Sequence, residues 1–115
     1  MMNISLTALA REQLEIATSA ASGRSAHSVR GGHEHTLHQT MIALAAGHSL
    51  GEHANPGEAT VHVLQGRVRL VAGDDSWGGA AGHLIEVPDS RHSLEAIEDS
   101  VVLLTTVSTR APSTD

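Results

Sequence analysis

Residues 47–66, with the sequence GHSLGEHANPGEATVHVLQG, decide the fold of this chain. From residue 59 to residue 63 apolar and polar side chains alternate, and this period of two predicts a half-buried β-strand. Asn55-Pro56-Gly57 stands just before it and is a strong turn signal, because proline presets φ and glycine tolerates positive φ. We therefore expect His53 and Asn55 at the end of one strand, with the next strand starting a few residues later. Side chains on one face of such a hairpin converge.

The spacing of five residues in this stretch resembles the first motif of the cupin family. Gly47, His53, Asn55, Ala59 and Gly66 follow G-x5-H-x-N-x3-A-x6-G, where the family usually has G-x5-H-x-H-x3,4-E-x6-G. The glycines and the first histidine match the family pattern. The second histidine of the motif is replaced by Asn55, and its glutamate by Ala59.

A second group of residues resembles the second cupin motif, G-x5-P-x-G-x2-H-x3-N. Gly82 is followed after five residues by Pro88, and His92 stands four residues after the proline. Fifteen residues separate Gly66 from Gly82, a spacing close to the shortest in small cupins. Ala96 replaces the closing asparagine of the motif. The two motifs together cover less than half of the chain.

The resemblance implies a small single-domain cupin of the conserved-barrel, RmlC-like type. The expected fold is an all-β jelly roll, a double-stranded β-helix, whose motif histidines point inward and hold iron, manganese, nickel or zinc. Carried over by position, the metal ligands are His53 and His92, with Asn55 in the place of the second histidine. An amide oxygen is a weaker ligand than imidazole for a transition metal, and Ala59 has no donor.

Two further residues near the first motif are candidates for the ligand pocket, namely Glu58 and His62. Glu58 is one residue out of register with Ala59, and a slip of one residue turns a strand side chain to the other face. A bulge after the Pro56-Gly57 turn would bring Glu58 back to the inner face. His62 shares the parity of Glu58, so we expect it to face outward or into a subunit interface.

The rest of the chain predicts a short helix followed by about seven to nine short strands, which is typical of a sandwich or barrel. The helix begins at Ser5 or Thr7 and ends near Ser19, and an edge strand is expected near residues 26–29. Residues 1–32 are assigned to this helix and an extended arm, 33–107 to the barrel and 108–115 to a frayed tail. The glycine-rich segment 78–82 is too poor in large side chains to predict a strand.

A second histidine cluster comprises His33, His35 and His38. On a strand, His33 and His35 would share a face and could bind a metal together. No third ligand is evident nearby, and a solvated edge strand that carries imidazoles is the alternative interpretation.

Composition limits the classes of partner. The chain has 115 residues and a net charge of −6, with no cysteine, no lysine, no phenylalanine or tyrosine and one tryptophan. The negative charge argues against nucleic acid as a partner, and the missing cysteines exclude disulfides. No apolar run is long enough for a membrane span, and no signal peptide is evident, so we expect a cytoplasmic protein. A core of small side chains favours a homodimer.

Three classes of function fit this sequence. A metal-dependent enzyme of the dioxygenase or isomerase type would use His53 and His92 to hold a metal with open positions for substrate. A ligand-sensing module would bind a small molecule in the barrel without turnover and without a metal. A storage or structural role fits a chain of this length poorly. We expect a barrel that binds a small molecule and a divalent metal, with its activity unassigned.

Overall fold

The structure is a computed structural model that describes residues 3–32, 34–53 and 57–108, with the backbone alone for Glu52, His53 and Ser108. These residues form one helix and nine strands: α1 Leu6–Ser19, β1 Arg24–Arg30, β2 Leu37–Leu44, β3 Ser49–His53, β4 Gly57–Gln65, β5 Arg67–Ala72, β6 Asp75–Ala80, β7 Leu84–Glu86, β8 His92–Ala96 and β9 Ser100–Ser108. No helix in these ranges is long and apolar enough to cross a membrane.

The strands form two facing sheets. Sheet A has the order β1-β2-β9-β4-β7, and sheet B has the order β3-β8-β5-β6. Every pairing within the two sheets is antiparallel. The fold is the all-β jelly roll that the cupin resemblance implied, whereas the alternation alone predicted a sandwich or barrel.

The barrel interior is filled by aliphatic side chains from alternate positions of both sheets. On β4, Val61 and Val63 are buried while Thr60 and His62 are only half-buried, as the period of two requires. The core contains no phenylalanine or tyrosine, and consists of Ile42, Leu44, Ala59, Val61, Val63, Val68, Leu70, Ile85, Val87, Leu94, Ala96 and Val102. We call the two ends of the barrel the His92 end and the Gly66 end, after the residues that lie there.

Helix α1 covers the outer face of sheet A. Ser5 caps the helix, because its hydroxyl accepts the Ala8 amide hydrogen at 3.2 Å. The inward stripe of the helix buries Ala10, Gln13 and Ala17. The two alanines lie with Met41, Ala43 and Val101, the outward positions of β2 and β9, in a second apolar cluster. The helix predicted from Ser5 to Ser19 is confirmed.

Strand β1 is the edge strand expected near residues 26–29, and it is longer than predicted. Its seven residues pair with β2 from Arg24↔Leu44 to Arg30↔Gln39. Sheet A therefore begins within the segment that the sequence assigned to the N-terminal arm. Ser25 fixes this strand to the helix, since its hydroxyl donates a hydrogen bond to the buried side-chain oxygen of Gln13.

Strand β6 is a difference from the sequence prediction, which placed no strand in its glycine-rich part. Each of its six residues pairs with β5, from Asp75↔Ala72 to Ala80↔Arg67. At Gly79 a Cβ atom would lie 2.9 Å from the Ile85 side chain. The missing side chain is therefore what allows this strand to approach β7, and its stability comes from pairing with β5 and not from its own propensity.

Candidate functional site

His92 is a buried polar side chain of the barrel interior. It is 5% exposed and stands at the start of β8, in line with the buried Leu94 and Ala96. Its Nδ1 lies 2.9 Å from the Ser90 carbonyl oxygen. Because a carbonyl only accepts, Nδ1 carries the hydrogen and the lone pair of the neutral ring is on Nε2. A backbone carbonyl that orients an imidazole in this way is the usual support of a histidine that binds a metal.

Beneath His92 lies a small apolar cavity. Its volume, measured over the positions that the centre of a water molecule can occupy, is about 20 Å³. On the same scale a single water needs about 10–15 Å³. The interior below His92 therefore has room for a water molecule and not for an organic ligand. Apart from His92, the cavity is lined by aliphatic side chains: Ile42, Leu50, Val61, Leu70, Leu94, Val102 and Leu104.

The backbone places His53 directly opposite His92. Strand β3 pairs with β8 at Leu50↔Leu94 and at His53↔His92, so that two residues of β3 oppose Ser93 alone between these pairs. In a regular strand, positions 50 and 53 would lie on opposite faces. The extra residue of the bulge puts position 53 on the face of Leu50. Opposite residues of an antiparallel pair have Cβ atoms about 4.5–5.5 Å apart. The side chain of His53 and all of Asn55 lie outside what the structure describes.

Strand β4 explains the first motif position by position. Ala59 is 8% exposed and faces the interior, so the position of the family glutamate is inward and has no donor. Glu58 is exposed, and its neighbours Gly57 and Ala59 pair with β9 in regular register. His62 alternates with the buried Val61 and Val63 and faces outward. The assignment of Glu58 and His62 to the ligand pocket is therefore not supported, because both side chains lie on the face of β4 away from the cavity.

Comparisons with other proteins identify the fold. No sequence-family profile and no curated protein match this chain. Among solved structures, a conserved protein of unknown function from Streptococcus pyogenes is 26% identical, with a TM-score of 0.71 over 80% of each chain. A cupin superfamily protein from Desulfitobacterium hafniense is 16% identical, with a TM-score of 0.68 over 74% of this chain and 77% of that protein. An RmlC-like cupin from Desulfovibrio desulfuricans is 24% identical, with a TM-score of 0.64 over 73% of this chain and 81% of the other. The chain has the cupin fold. The names of these three proteins state no reaction and no ligand.

The described part of the cupin barrel supplies fewer metal ligands than a complete centre needs. Among the side chains that the structure describes, which do not include those of Glu52 and His53, no three of His, Cys, Asp or Glu come together at one point. The burial of His92 and its contact with the Ser90 carbonyl are those expected of a metal ligand. The backbone of residue 53 is paired directly with that of His92. Ala59 fits no role in binding a metal. Of the three ligands expected from the sequence, the structure therefore describes the side chain of His92 alone and, for His53, only a backbone position opposite it.

Two threonines at the His92 end were missed by the sequence analysis. Thr40 on β2 has the inward parity of Ile42, and Thr106 on β9 is paired with the inward Ala59. Both are half-buried, and their hydroxyls can donate and accept hydrogen bonds. The signal was available as the alternation along each strand, but only the pairing of β2, β9 and β4 brings these residues to the same end of the barrel.

The second histidine cluster does not form the strand face that the sequence suggested. Residues 34–36 lie in a turn and irregular backbone before β2, and the His35 amide donates to the Gly32 carbonyl. The imidazole of His35 contacts the Arg30 guanidinium at 3.3 Å through Nδ1. Nε2 of His38 donates to the His35 carbonyl at 2.9 Å. His33 lies outside the described residues, so the predicted pair of His33 and His35 remains a prediction.

Proposed function

We propose that this cupin barrel is a binding module that takes a small molecule at its His92 end. In this proposal His53 and His92 hold a divalent metal, and Asn55 adds a weak third donor. The observation that carries the proposal is the pairing of His53 with His92 above an apolar cavity, with the His92 ring oriented by the Ser90 carbonyl.

The donor set supports binding more strongly than turnover. Catalytic zinc sites, for example, usually have three protein ligands and one open position. Here the inward position of β4 is Ala59, which leaves two imidazoles and an amide. A metal held by these groups would polarise an oxygen atom of the ligand. Because such a metal has few strong ligands, we expect it to exchange readily with metal ions in solution.

The size of the cavity supports a ligand that binds above it and not inside it. Because the space beneath His92 holds little more than one water, the small molecule would rest over the imidazoles at the His92 end. There it meets the half-buried hydroxyls of Thr40 and Thr106 on sheet A. The aliphatic side chains beneath form an apolar floor.

Titration of untagged, chelator-treated protein with Zn²⁺ and Ni²⁺ by calorimetry tests this proposal. We expect about one equivalent in the wild type, and loss of binding in both His53→Ala and His92→Ala, because two imidazoles supply most of the affinity. His62→Ala is the matched control, since it removes an imidazole from the outward face of β4, and it should bind like the wild type.

Two results would contradict the proposal: no binding by the wild type, or unchanged binding by His92→Ala. Metal that survives prolonged dialysis against a chelator would instead favour the enzyme alternative. The homodimer and the cytoplasmic location expected from the sequence stay predictions, and light scattering tests the first of them.

A further inference from the structure

A cleft lies outside the barrel, between helix α1 and the turns at the Gly66 end. Its volume is about 310 Å³, on the measure that gives about 20 Å³ for the cavity beneath His92. Pockets that bind small molecules begin at about 300 Å³. This cleft, unlike the cavity beneath His92, therefore has room for an organic molecule.

One stripe of helix α1 forms a wall of the cleft. Its members recur at the spacing of a single helix face, and they are Thr7, Arg11, Leu14, Glu15 and Thr18. Because a helix rises about 1.5 Å per residue, this wall is roughly 16 Å long from Thr7 to Thr18. The cleft is therefore elongated, and its shape suits a chain-like molecule.

The opposite wall depends on a β-bulge at the end of β4. Val63 pairs with Val102 and Gln65 with Val101, so that Leu64 and Gln65 together oppose Val101. In a regular strand Gln65 would share the inner face of Val63. The extra residue instead puts Gln65 on the outer face of sheet A, where it lines the cleft. Bulges of this kind redirect side chains and are frequent beside functional sites.

Opposite charges line the cleft without pairing with each other. Arg11, Glu15 and Asp99 are all exposed there. Among the residues that the structure describes, Arg11 forms no ion pair with either carboxylate. Arg11 precedes Glu15 by four residues, which is the less favourable order for a pair within one helix. Oδ1 of Asp99 accepts the Ala46 amide hydrogen at 2.8 Å, which fixes that carboxylate at the cleft.

We propose that this cleft binds a short, extended zwitterion, namely an ω-amino acid whose carboxylate and ammonium groups are separated by a methylene chain. The carboxylate meets the Arg11 guanidinium, which can donate two parallel hydrogen bonds to it. The ammonium group meets Glu15 and Asp99, because it has only donors and needs acceptors. The methylenes lie along the half-buried side chain of Leu14. The cleft is lined by none of the residues of the His92 end, so the inference does not depend on a metal there.

A series of amino acids of increasing length tests the separation of the two charges. Arg11 and Glu15 are four residues apart, which is roughly 6 Å along the helix axis, whereas an α-amino acid carries both charged groups on one carbon. Glycine, 4-aminobutyrate and 6-aminohexanoate are titrated into ¹⁵N-labelled protein at low salt, and the signals of Arg11 and Gln65 are followed by NMR. We expect the two longer amino acids to move these signals and to bind more tightly than glycine.

Butyrate and butylamine, which each carry one charge, measure the two charged contacts separately. Each should bind about twofold to fivefold more weakly than 4-aminobutyrate, the range of an exposed ion pair. Arg11→Gln should remove the advantage of 4-aminobutyrate over butylamine, and Glu15→Gln should reduce its advantage over butyrate. Arg24→Gln and Glu12→Gln are the matched controls, since they make the same changes at exposed residues that do not line the cleft, and they should bind like the wild type.

Three results would overturn the inference: cleft signals that none of the amino acids move, equal binding of 4-aminobutyrate and its singly charged analogues, or unchanged preferences in Arg11→Gln and Glu15→Gln. Any of them would leave the cleft as a solvated groove beside the helix. His92→Ala separates this cleft from the barrel, because it should bind 4-aminobutyrate like the wild type, and a loss of binding there would also overturn the inference. Failure of the wild type to bind Zn²⁺ or Ni²⁺ contradicts the proposed function alone.

Discussion

The two ends of the barrel follow the same family pattern to different degrees. At the Gly66 end the glycines of the motif are present, and Gly66 has a φ of +85°, which L side chains rarely adopt. A Cβ atom there would overlap the Asp99 carbonyl oxygen. The buried Ser100 hydroxyl accepts the Arg67 amide hydrogen at 3.0 Å and donates to the Glu98 carbonyl at 2.7 Å.

At the His92 end the pattern is changed where a ligand would bind. Ala59 and Asn55 replace two side chains that the family uses for a metal, and the described cavity is nearly filled by aliphatic groups. The comparison teaches that the glycines of the motifs and their inward side chains have separate physical roles. The glycines set the backbone of the barrel, whereas the inward side chains decide what it binds.

The largest effect is expected at the Gly66 end. Gly66→Ala should lower the free energy of unfolding by about 3 kcal/mol or more, because a strained positive φ is combined with overlap against backbone that cannot move away. Urea unfolding followed by circular dichroism measures the change.

Gly73→Ala is the control for this variant. Gly73 also has a positive φ, of +60°, but a Cβ atom there meets nothing within 4 Å. It should cost about 1–2 kcal/mol from backbone strain alone. Equal losses in the two variants would contradict the role of the Asp99 contact.

Ser100→Ala should cost about 2 kcal/mol at the same end. Ser100 is 1% exposed, and its removal leaves the Arg67 amide hydrogen without its partner in a site that water does not reach easily. Urea unfolding of Thr105→Ala supplies the comparison, since that half-buried hydroxyl accepts a longer bond of 3.3 Å from Gln39. A loss in Ser100→Ala no greater than that in Thr105→Ala would show that the turn is held by its glycine alone.

At the His92 end, Ala59→Glu should make the two ends more alike. Without metal we expect a loss of about 1–2 kcal/mol, because a carboxyl group enters a position that is 8% exposed. With Zn²⁺ the affinity should rise at least about tenfold, because the carboxylate adds a third strong ligand. Calorimetry and urea unfolding with and without Zn²⁺ measure both effects.

Thr60→Glu places the same carboxylate on the outward face of β4 and should leave Zn²⁺ affinity unchanged. If Ala59→Glu also leaves the affinity unchanged, position 59 does not face a metal site. The difference between the two ends would then not explain what the barrel binds.

The smallest effect is expected between the two ends, on the outer face of sheet B. Arg69 donates to Glu95 through Nε at 3.2 Å and through a terminal nitrogen at 3.0 Å, and the two side chains are about half exposed. Arg69→Ala should cost at most about 1 kcal/mol, and less in high salt, because water and ions screen exposed pairs. Unfolding measured at two salt concentrations checks this, and a loss that is independent of salt would assign the effect to packing.

Much of the fold was predictable because its signals are local. The helix from Ser5 has a capping hydroxyl and an apolar stripe, and the strand that contains Val61 and Val63 alternates with a period of two. Strand β6 was not predictable, since its glycines have low strand propensity and its order comes from pairing with β5. Propensity describes a segment by itself, whereas pairing depends on residues that are distant in the sequence.

The candidate site was predictable as a list of residues and not as an arrangement. The spacing of the motifs pointed to His53 and His92. On β4 the structure has Ala59 facing inward and Glu58 facing outward, as the spacing of the first motif implied. Thr40 and Thr106 were not selected, because each is ordinary in its own segment. Only the sheet register shows that both belong to the inner face of sheet A.

By itself the sequence determined a sandwich or barrel of short strands, the glycines of the turns and the absence of cysteine chemistry, which follow from local backbone preferences and from the side chains present. The jelly roll and the two candidate ligands came from the resemblance of its motifs to those of cupins. The tertiary structure decided which faces those side chains occupy. The bulge in β3 is the clearest case: counted along the chain, Leu50 and His53 fall on opposite faces, but one extra residue in the pairing with β8 puts both positions on the same face. Pairing between distant strands sets that register.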